Sequence, residues 1–447
     1  MLLIAAVIAA GTSGCSHAPP VVRGSGVETE SSAGDRAFAA ELEALADRTL
    51  AIVRRHRVEV IAERTFTHDE LMTALARPLA EGRFTVTEAG RSIHGRSILA
   101  IRYGRGPVRV LLWSQMHGDE STATMALLDL IAWLAAEPDD ELARHLAEEL
   151  TIVMIPMLNP DGAEIFQRRN AAGVDVNRDA RRLATPEGRI LKAVRDEFEP
   201  DFGFNLHDQN PHTRAGRSGE RAAFALLAPA ADPERSWTPV RARARLVAAA
   251  IAVALETRVP GRVARYGDAF NPRAFGDLMQ QWGTSTVLIE TGVLDDDPEK
   301  QELRTLNGMA LLTALSVIAA GDWQRADPAR YEALPANRGF AHDFLIRGGM
   351  VVLGSGEPLR LDLALAWEDG VRREGLVVSD VGDLEGVEAL EVIDATGLYL
   401  HPDYPPGAAS ATDSAGDCWL IVGEPVVVTL RRGPERGSGM VMRLGRD

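Results

Sequence analysis

Val108-Arg109-Val110-Leu111-Leu112-Trp113 runs directly into Ser114-Gln115-Met116-His117-Gly118-Asp119-Glu120-Ser121-Thr122. The nearly continuous apolar run reads as a strand buried on both faces, the pattern of a parallel sheet covered by helices. A Gly-containing turn at its carboxyl end can aim an imidazole and a carboxylate, three residues apart, into the crevice where open α/β sheets place their ligands. The spacing alone is weak, because His-x-x-Glu recurs at His56/Glu59 and His145/Glu148. Both of those fall in amphipathic helical patterns and read as solvated helix faces. The first pair therefore needs partners elsewhere in the chain.

Outward from this stretch, apolar strands alternate with helices. Upstream, Asp35 to Glu63 carries Leu42, Leu45, Leu50 and Val53 at helical spacing. Thr67 and Glu70 form a capping-box signature for a second helix. Phe84 to Ala89 and Ser97 to Tyr103 alternate as strands. Downstream come a helix from Ala123 to Ala135, a strand-like run Leu150 to Leu158 and the turn signal Asn159-Pro160-Asp161-Gly162. The pattern continues with a helix Pro186 to Phe198, a strand Asp201 to Leu206, a helix Val240 to Leu255, a strand Ser285 to Ile289 and a helix Pro298 to Ala319. This order predicts an α/β fold with a mainly parallel mixed sheet and helices on both faces. Past Asp322, a Pro/Ala/Arg-rich connection leads to short alternating strands separated by Gly, a smaller C-terminal all-β domain.

At 447 residues the chain has room for two or three domains. Its 46% hydrophobic and 25% charged residues are those of an ordinary globular protein. A formal net charge of -16 without a basic cluster argues against a nucleic-acid partner. The two cysteines, Cys15 and Cys418, form no disulfide framework.

The sheet supplies partners for His117 and Glu120. Each apolar strand ends in a polar residue that can face the same crevice: Asn159 after the second, His207 after the third, and Glu290 within the fourth. His117, Glu120 and His207 make the His₂Glu set of catalytic zinc sites, which leaves one position for water. Glu290, following Val287-Leu288-Ile289, is a carboxylate costly to bury unless paired or functional, and a general base is one such use. A core salt bridge is the alternative. The loop from Gln167 to Asp179 holds Arg168, Arg169, Arg178, Asn170 and Asn177. Arg and Asn together can bind a carboxylate, and a second Arg can stabilise an oxyanion. Plain surface charge is the competing reading.

His117-x-x-Glu120 after a strand, Asn159-Pro160-Asp161-Gly162, Arg168-x-Asn170-x-x-Gly173-Val174-Asp175-x-Asn177-Arg178, the strand-end His207 and Ile289-Glu290-Thr291-Gly292 together resemble the zinc carboxypeptidase family related to carboxypeptidase A. The lead-in Ser92-Ile93-His94-Gly95-Arg96-Ser97-Ile98 is similar to that family's Ser-x-x-Gly-Arg-x-Ile. The resemblance covers roughly Thr67 to Gly321. It implies one Zn²⁺ per chain on His117, Glu120 and His207, with Glu290 as general base and proton shuttle. Arg168 would polarise the scissile carbonyl, Asn177 and Arg178 would hold the substrate's terminal carboxylate, and Asp175 would orient a zinc-binding His. The family's mobile tyrosine falls on Tyr266 or, by alignment on Asp277, on Phe270, which has no hydroxyl. A specificity pocket from Gly276 to Trp282 would carry one charge, Asp277.

The tail from Phe344 to Gly397 is similar to the small β-sandwich that begins amidohydrolase-family enzymes. Here it continues as His401-Pro402-Asp403 with too few residues for a barrel, so an accessory domain without a second active site is expected. At the other end, the apolar Met1 to Gly11 followed by Thr12-Ser13-Gly14-Cys15 is similar to a bacterial lipoprotein signal. About 11 apolar residues are too few to span a bilayer. A plain secretory signal or a buried N-terminal segment is the alternative. The expected organisation is a signal peptide 1–15, a tether 16–34, an N-terminal helical segment 35–66, a catalytic domain 67–326, a linker 327–339 and a β domain 340–447.

The expected activity is a zinc-dependent metallocarboxypeptidase of the cell envelope, lipid-anchored through Cys15 or else secreted or periplasmic. Its partner would be a peptide with a free C-terminal carboxylate. The alternatives are an amidase on peptidoglycan peptides or acyl-amino acids, and a non-catalytic protein that holds peptide carboxylates.

Overall fold

The computed structural model describes residues 33–217, 220–353, 357–371, 374–403 and 420–445. Cys15 and Cys418, with the proposed signal and tether up to residue 32, lie outside the described residues.

The chain begins with helix α1 (Ala33–Arg55), which stops well before Glu63. The reason is tertiary. Arg304 and Asp129, both buried, form an ion pair, and they take the backbone that would have continued the helix: Asp129 accepts from Val58 N, and Arg304 donates to Val58 O and Ile61 O. Helix α2 (His68–Ala80) starts as expected, Thr67 and Glu70 capping each other's backbone amides.

An eight-stranded sheet follows, built from β1 (Thr85–Arg91), β2 (Ser97–Gly104), β3 (Val108–Ser114), β4 (Leu150–Ile155) and β5 (Phe202–Asp208), and further along the chain β7 (Phe224–Leu227), β8 (Val263–Arg265) and β9 (Ser285–Thr291). The short β6 (Thr213–Ala215) lies outside it, paired with β10 (Asn337–Gly339). The order is β1-β2-β4-β3-β5-β9-β7-β8. The central pairs β4/β3, β3/β5 and β5/β9 are parallel, and the antiparallel hairpin β1/β2 forms one edge. The expected mixed, mainly parallel sheet is what forms.

Side-chain alternation along β3 explains why the sheet is covered twice. Val110 and Leu112 enter one core with the helices α1, α2, α3 (Thr122–Ala136) and α4 (Glu141–Glu149). Leu111 and Trp113 enter the other, beneath α6 (Pro186–Phe198), with Ile155 and Phe275. Between α4 and α6 lies the single-turn α5 (Pro160–Glu164). Helices α7 (Pro239–Glu256) and α9 (Gln301–Ala319) complete the first layer, and α8 (Phe275–Gln281) joins the second. Each such aliphatic side chain, fully buried, contributes about 1.5–3 kcal/mol.

The connection 327–339 is itself structured, carrying α10 (Pro328–Glu332) as well as β10. Beyond it, the expected strand Phe344 to Leu353 is broken into β11 (Phe344–Arg347) and β12 (Met350–Val351). Gly348 takes a φ of 71°, and a Cβ on Gly349 would sit 2.1 Å from Leu400 Cδ1, so the Gly pair lets the chain pass from one sheet to another. Next come β13 (Leu359–Arg360), β14 (Asp362–Asp369), β15 (Glu374–Gly382), β16 (Glu391–Asp394), β17 (Tyr399–Asp403), β18 (Val427–Arg431) and β19 (Met440–Leu444). They form a four-stranded sheet β15-β14-β11-β16 and a five-stranded sheet β13-β12-β17-β18-β19. The two share a core that includes Ile346, Leu365, Leu400 and Val428. No described helix is long and apolar enough to cross a membrane.

Candidate metal centre

Strand order places the site. From β3 the chain goes to β4 on one side, whereas the other neighbour of β3 is β5. A crevice opens at such a switch point beyond the carboxyl ends of the strands. His117 and Glu120 follow β3, and His207 lies at the end of β5. In-register parallel pairing sets His207 beside Glu290 of β9, so the two side chains leave the same face of the sheet.

His117, Glu120 and His207 are all buried, with one ligand atom from each lying within 4.8 Å of the others, the one such cluster among the described residues. Glu120 lies between the imidazoles, its Oε1 2.7 Å from His117 Nδ1 and its Oε2 2.6 Å from His207 Nδ1. The two Nδ1 atoms are 3.2 Å apart. Ligand bonds of ~2.0–2.1 Å in tetrahedral geometry separate two nitrogens by about 3.4 Å, so the spacing of the two imidazole nitrogens fits zinc. Asp175 Oδ1 lies 2.9 Å from His117 Nε2, a position from which it would hold a proton on Nε2 and leave Nδ1 for an ion in the cluster.

The electrostatics favour a cation. Burial opposes the charged imidazolium of His117, but Glu120 and Asp175 outweigh it and push the group up to about 9. Burial likewise opposes the carboxylate of Glu120, yet the two imidazoles hold it well below the usual range. Burial lowers His207. Glu290, desolvated and close to the charge of Glu120, is raised well above an ordinary carboxylate.

His117, Glu120 and Glu290 line a cavity of about 500 Å³ that also takes in Arg168, Asn177, Arg178, Tyr266 and Asp277. Arg168 grips Asp175 Oδ2 through Nε at 3.2 Å and Nη2 at 2.9 Å, and reaches Glu120 Oε1 with Nη1 at 3.1 Å. Asn177 lies 3.4 Å from His207 Nε2, and its Oδ1 accepts from Phe275 N. Arg178 is exposed and anchored through Nη1 to Asn177 O. Tyr266 lines the cavity, whereas Phe270 packs on the second core. The tyrosine's pKa is pushed up to about 12, first by Glu290 and then by burial, which keeps its hydroxyl a donor. Asp277 also lines the cavity; burial raises it to about 6.

Asn159 does not face the crevice. The turn signal is a helix start: Asn159 Oδ1 caps α5 through Gly162 N, and Nδ2 donates to Met116 O, steadying the loop before His117. Asp161 ties this motif to the lead-in, accepting from Ser92 Oγ and Arg96 Nη1. Sequence reading also passed over Asp208. Its backbone N donates to Glu120 Oε2, and its carboxylate accepts from Thr122 Oγ1 and from the buried Lys300. The adjacent Asp208-Gln209 after His207 was the available signal.

A family model described as Zinc carboxypeptidase matches residues 72–224. Carboxypeptidase 2 of Trichophyton rubrum is 35% identical over 101 residues, 23% of this chain and 18% of that one. Carboxypeptidase M of Mus musculus is 29% identical over 135 residues, 26% of this chain and 30% of that one. The chain thus spans less than a third of the length of these curated relatives. Among solved structures, a metallo-carboxypeptidase from Burkholderia cenocepacia aligns with a TM-score of 0.47 and 18% identity, covering 57% of this chain and 70% of that one.

Proposed function

We propose that this chain, whose residues 72–224 carry the zinc carboxypeptidase family match, is a zinc-dependent metallocarboxypeptidase that hydrolyses the C-terminal peptide bond of peptides. The observation that carries the reading is the convergence of three buried donor atoms within 4.8 Å of one another, two of their residues, His117 and Glu120, lining a cavity with Glu290 and Arg168. His117 and His207 would hold the ion through Nδ1 and Glu120 through its carboxylate. Bound zinc supplies Lewis-acid polarisation of a carbonyl and lowers the pKa of water toward ~7.

The chain's own groups supply the rest. Glu290, raised by burial and by Glu120, is matched to taking a proton from attacking water near neutral pH and returning it to the leaving amine. Arg168 places a guanidinium where charge develops on the carbonyl oxygen. Arg178 and Asn177 receive the terminal carboxylate, the guanidinium by charge-assisted hydrogen bonds, and the Tyr266 hydroxyl adds a donor. Asp175 keeps His117 oriented. An envelope location through a lipid on Cys15 belongs to the same proposal and rests on the sequence; Cys15→Ser would then move the protein from the membrane to the soluble fraction.

The test pairs zinc analysis with product identification on a peptide library. Single C-terminal amino acids should be released, chelation should abolish turnover and zinc should restore it. Glu290→Gln should keep the metal and lose about 10²–10⁴-fold in rate. Cleavage of cell-wall peptide amides instead would favour an amidase, and peptide binding without turnover would favour a binding protein.

A further inference from the structure

One wall of the cavity is not built by the main sheet. It is the ribbon β6/β10, with Asn337 opposite Ala215 and Gly339 opposite Thr213. Thr213, Asn337 and Gly339 line the cavity together with Gln209 and Asn210, which follow His207 closely in the chain. Asn337 Nδ2 donates to Gln209 Oε1 at 2.8 Å, tying the two segments at the cavity itself.

Two strands of three residues have little stability of their own. Here the C-terminal β domain anchors them. Arg214 of β6 donates to Glu388 at 2.6 Å and to Ala389 O at 3.2 Å, and Arg217 donates to Glu388 at 2.7 Å. Arg221 pairs with Asp343, both buried, and donates to Gly370 O at 2.7 Å. The His212 ring packs edge-on against Phe340. Gly370 is needed for this approach, since a Cβ there would lie 3.0 Å from both Pro211 and His212. A buried charged pair such as Arg221 and Asp343 fixes geometry, because separating it leaves an uncompensated charge.

We propose that the C-terminal β domain acts as a length filter: through β10 and its anchors on the segment after His207, it walls the cavity on the side N-terminal to the scissile bond, so that the preferred substrates are short peptides. This rests on the carboxypeptidase reading, which puts the terminal carboxylate at Asn177 and Arg178 and the bond to be cut at His117, Glu120 and His207. The substrate's remaining residues then run toward Gln209, Asn210 and Asn337. A cavity of about 500 Å³ is of the size that encloses a small molecule, roughly 300–1,000 Å³, and suits a peptide of about two or three residues. The lining amides can bind the backbone or acyl group of such a substrate.

The experiment uses the full-length zinc-loaded protein and peptides that share one C-terminal residue, from an N-acylated dipeptide to a hexapeptide. Wild type should lose at least about tenfold in kcat/KM across the series. Glu388→Ala, at an exposed position outside the cavity lining, should flatten the series chiefly through KM for the longer peptides, with dipeptide turnover unchanged. Gly339→Phe should steepen it. A side chain there leaves the strand on the same face as Asn337, and its Cβ would meet only His212 O at 3.8 Å. Thermal melting checks that both variants fold. An active enzyme with a flat series, or a slope that neither substitution moves, overturns the length filter alone. Hydrolysis of no member of the series overturns the carboxypeptidase reading, and the filter with it.

Discussion

Asp175→Asn isolates the charge behind His117 from the hydrogen bond that carries it. In the wild type, Asp175 Oδ1 is 2.9 Å from His117 Nε2 while Oδ2 accepts both Nε and Nη2 of Arg168. The amide oxygen of Asn can still accept from Nε2, so the imidazole keeps its tautomer. What is lost is the negative charge that makes His117 a stronger base and holds the Arg168 fork. Removing an outer partner of a metal-binding His costs about 10–100-fold in metal affinity or activity, or about 1.4–2.7 kcal/mol at 1.36 kcal/mol per tenfold. The retained hydrogen bond places Asp175→Asn near the tenfold end, and Asp175→Ala, which loses both contacts, near the hundredfold end. Zinc dissociation constants measured by competition with a chromophoric chelator give the answer directly, without reference to turnover. If both variants bind zinc within about twofold of wild type, Asp175 does not act through His117.

Three further outcomes follow from the buried charges. Asp277 is raised by burial from 3.8 to about 6, so an unfolded chain binds fewer protons than the native one between those values; native stability falls as pH rises through that window by about 3 kcal/mol. Asp277→Asn, which can still accept from Asn271 N, should therefore gain stability relative to wild type between pH 4 and about 6 and hold the gain above it, as followed by urea unfolding at several pH values. Arg304→Ala should cost about 3–5 kcal/mol by the same assay, since it strands the buried Asp129 and releases the carbonyls of Val58 and Ile61. Lys300→Met should destabilise by a similar ~3–5 kcal/mol, because it leaves the buried Asp208 carboxylate without its cation, and it should weaken zinc binding by way of the Asp208 backbone contact to Glu120.

Long apolar runs were legible because their patterns are local. β3, β4, β5 and β9, and the helices α2, α3, α6 and α7, lie within a few residues of where periodicity and capping put them. Short elements carry too little pattern: β6, β7, β8 and α8 span three to seven residues, too few to establish a period, and β6 forms against β10 on one side and the backbone of residues 220–222 on the other. The end of α1 is not legible in its own periodicity because the residues that stop it, Asp129 and Arg304, are far away in sequence. A strand-end amide such as Asn159 resembles a site residue in sequence, whereas its oxygen closes the first turn of α5.

The chemistry of the site shows the same division. The sequence by itself determined the residue types, the strand that precedes His117 and the motif order that points to zinc, because these depend on neighbours along the chain. Only the tertiary structure decided that β3 and β5 are adjacent, bringing His117 and His207 within 3.2 Å across 90 positions, and that β9 pairs in register to set Glu290 beside His207. It also puts Tyr266 among the residues lining the cavity and Phe270 against the second core. Strand order and register come from packing both faces of the sheet at once. That is a sum over distant contacts, which no local pattern in the chain contains.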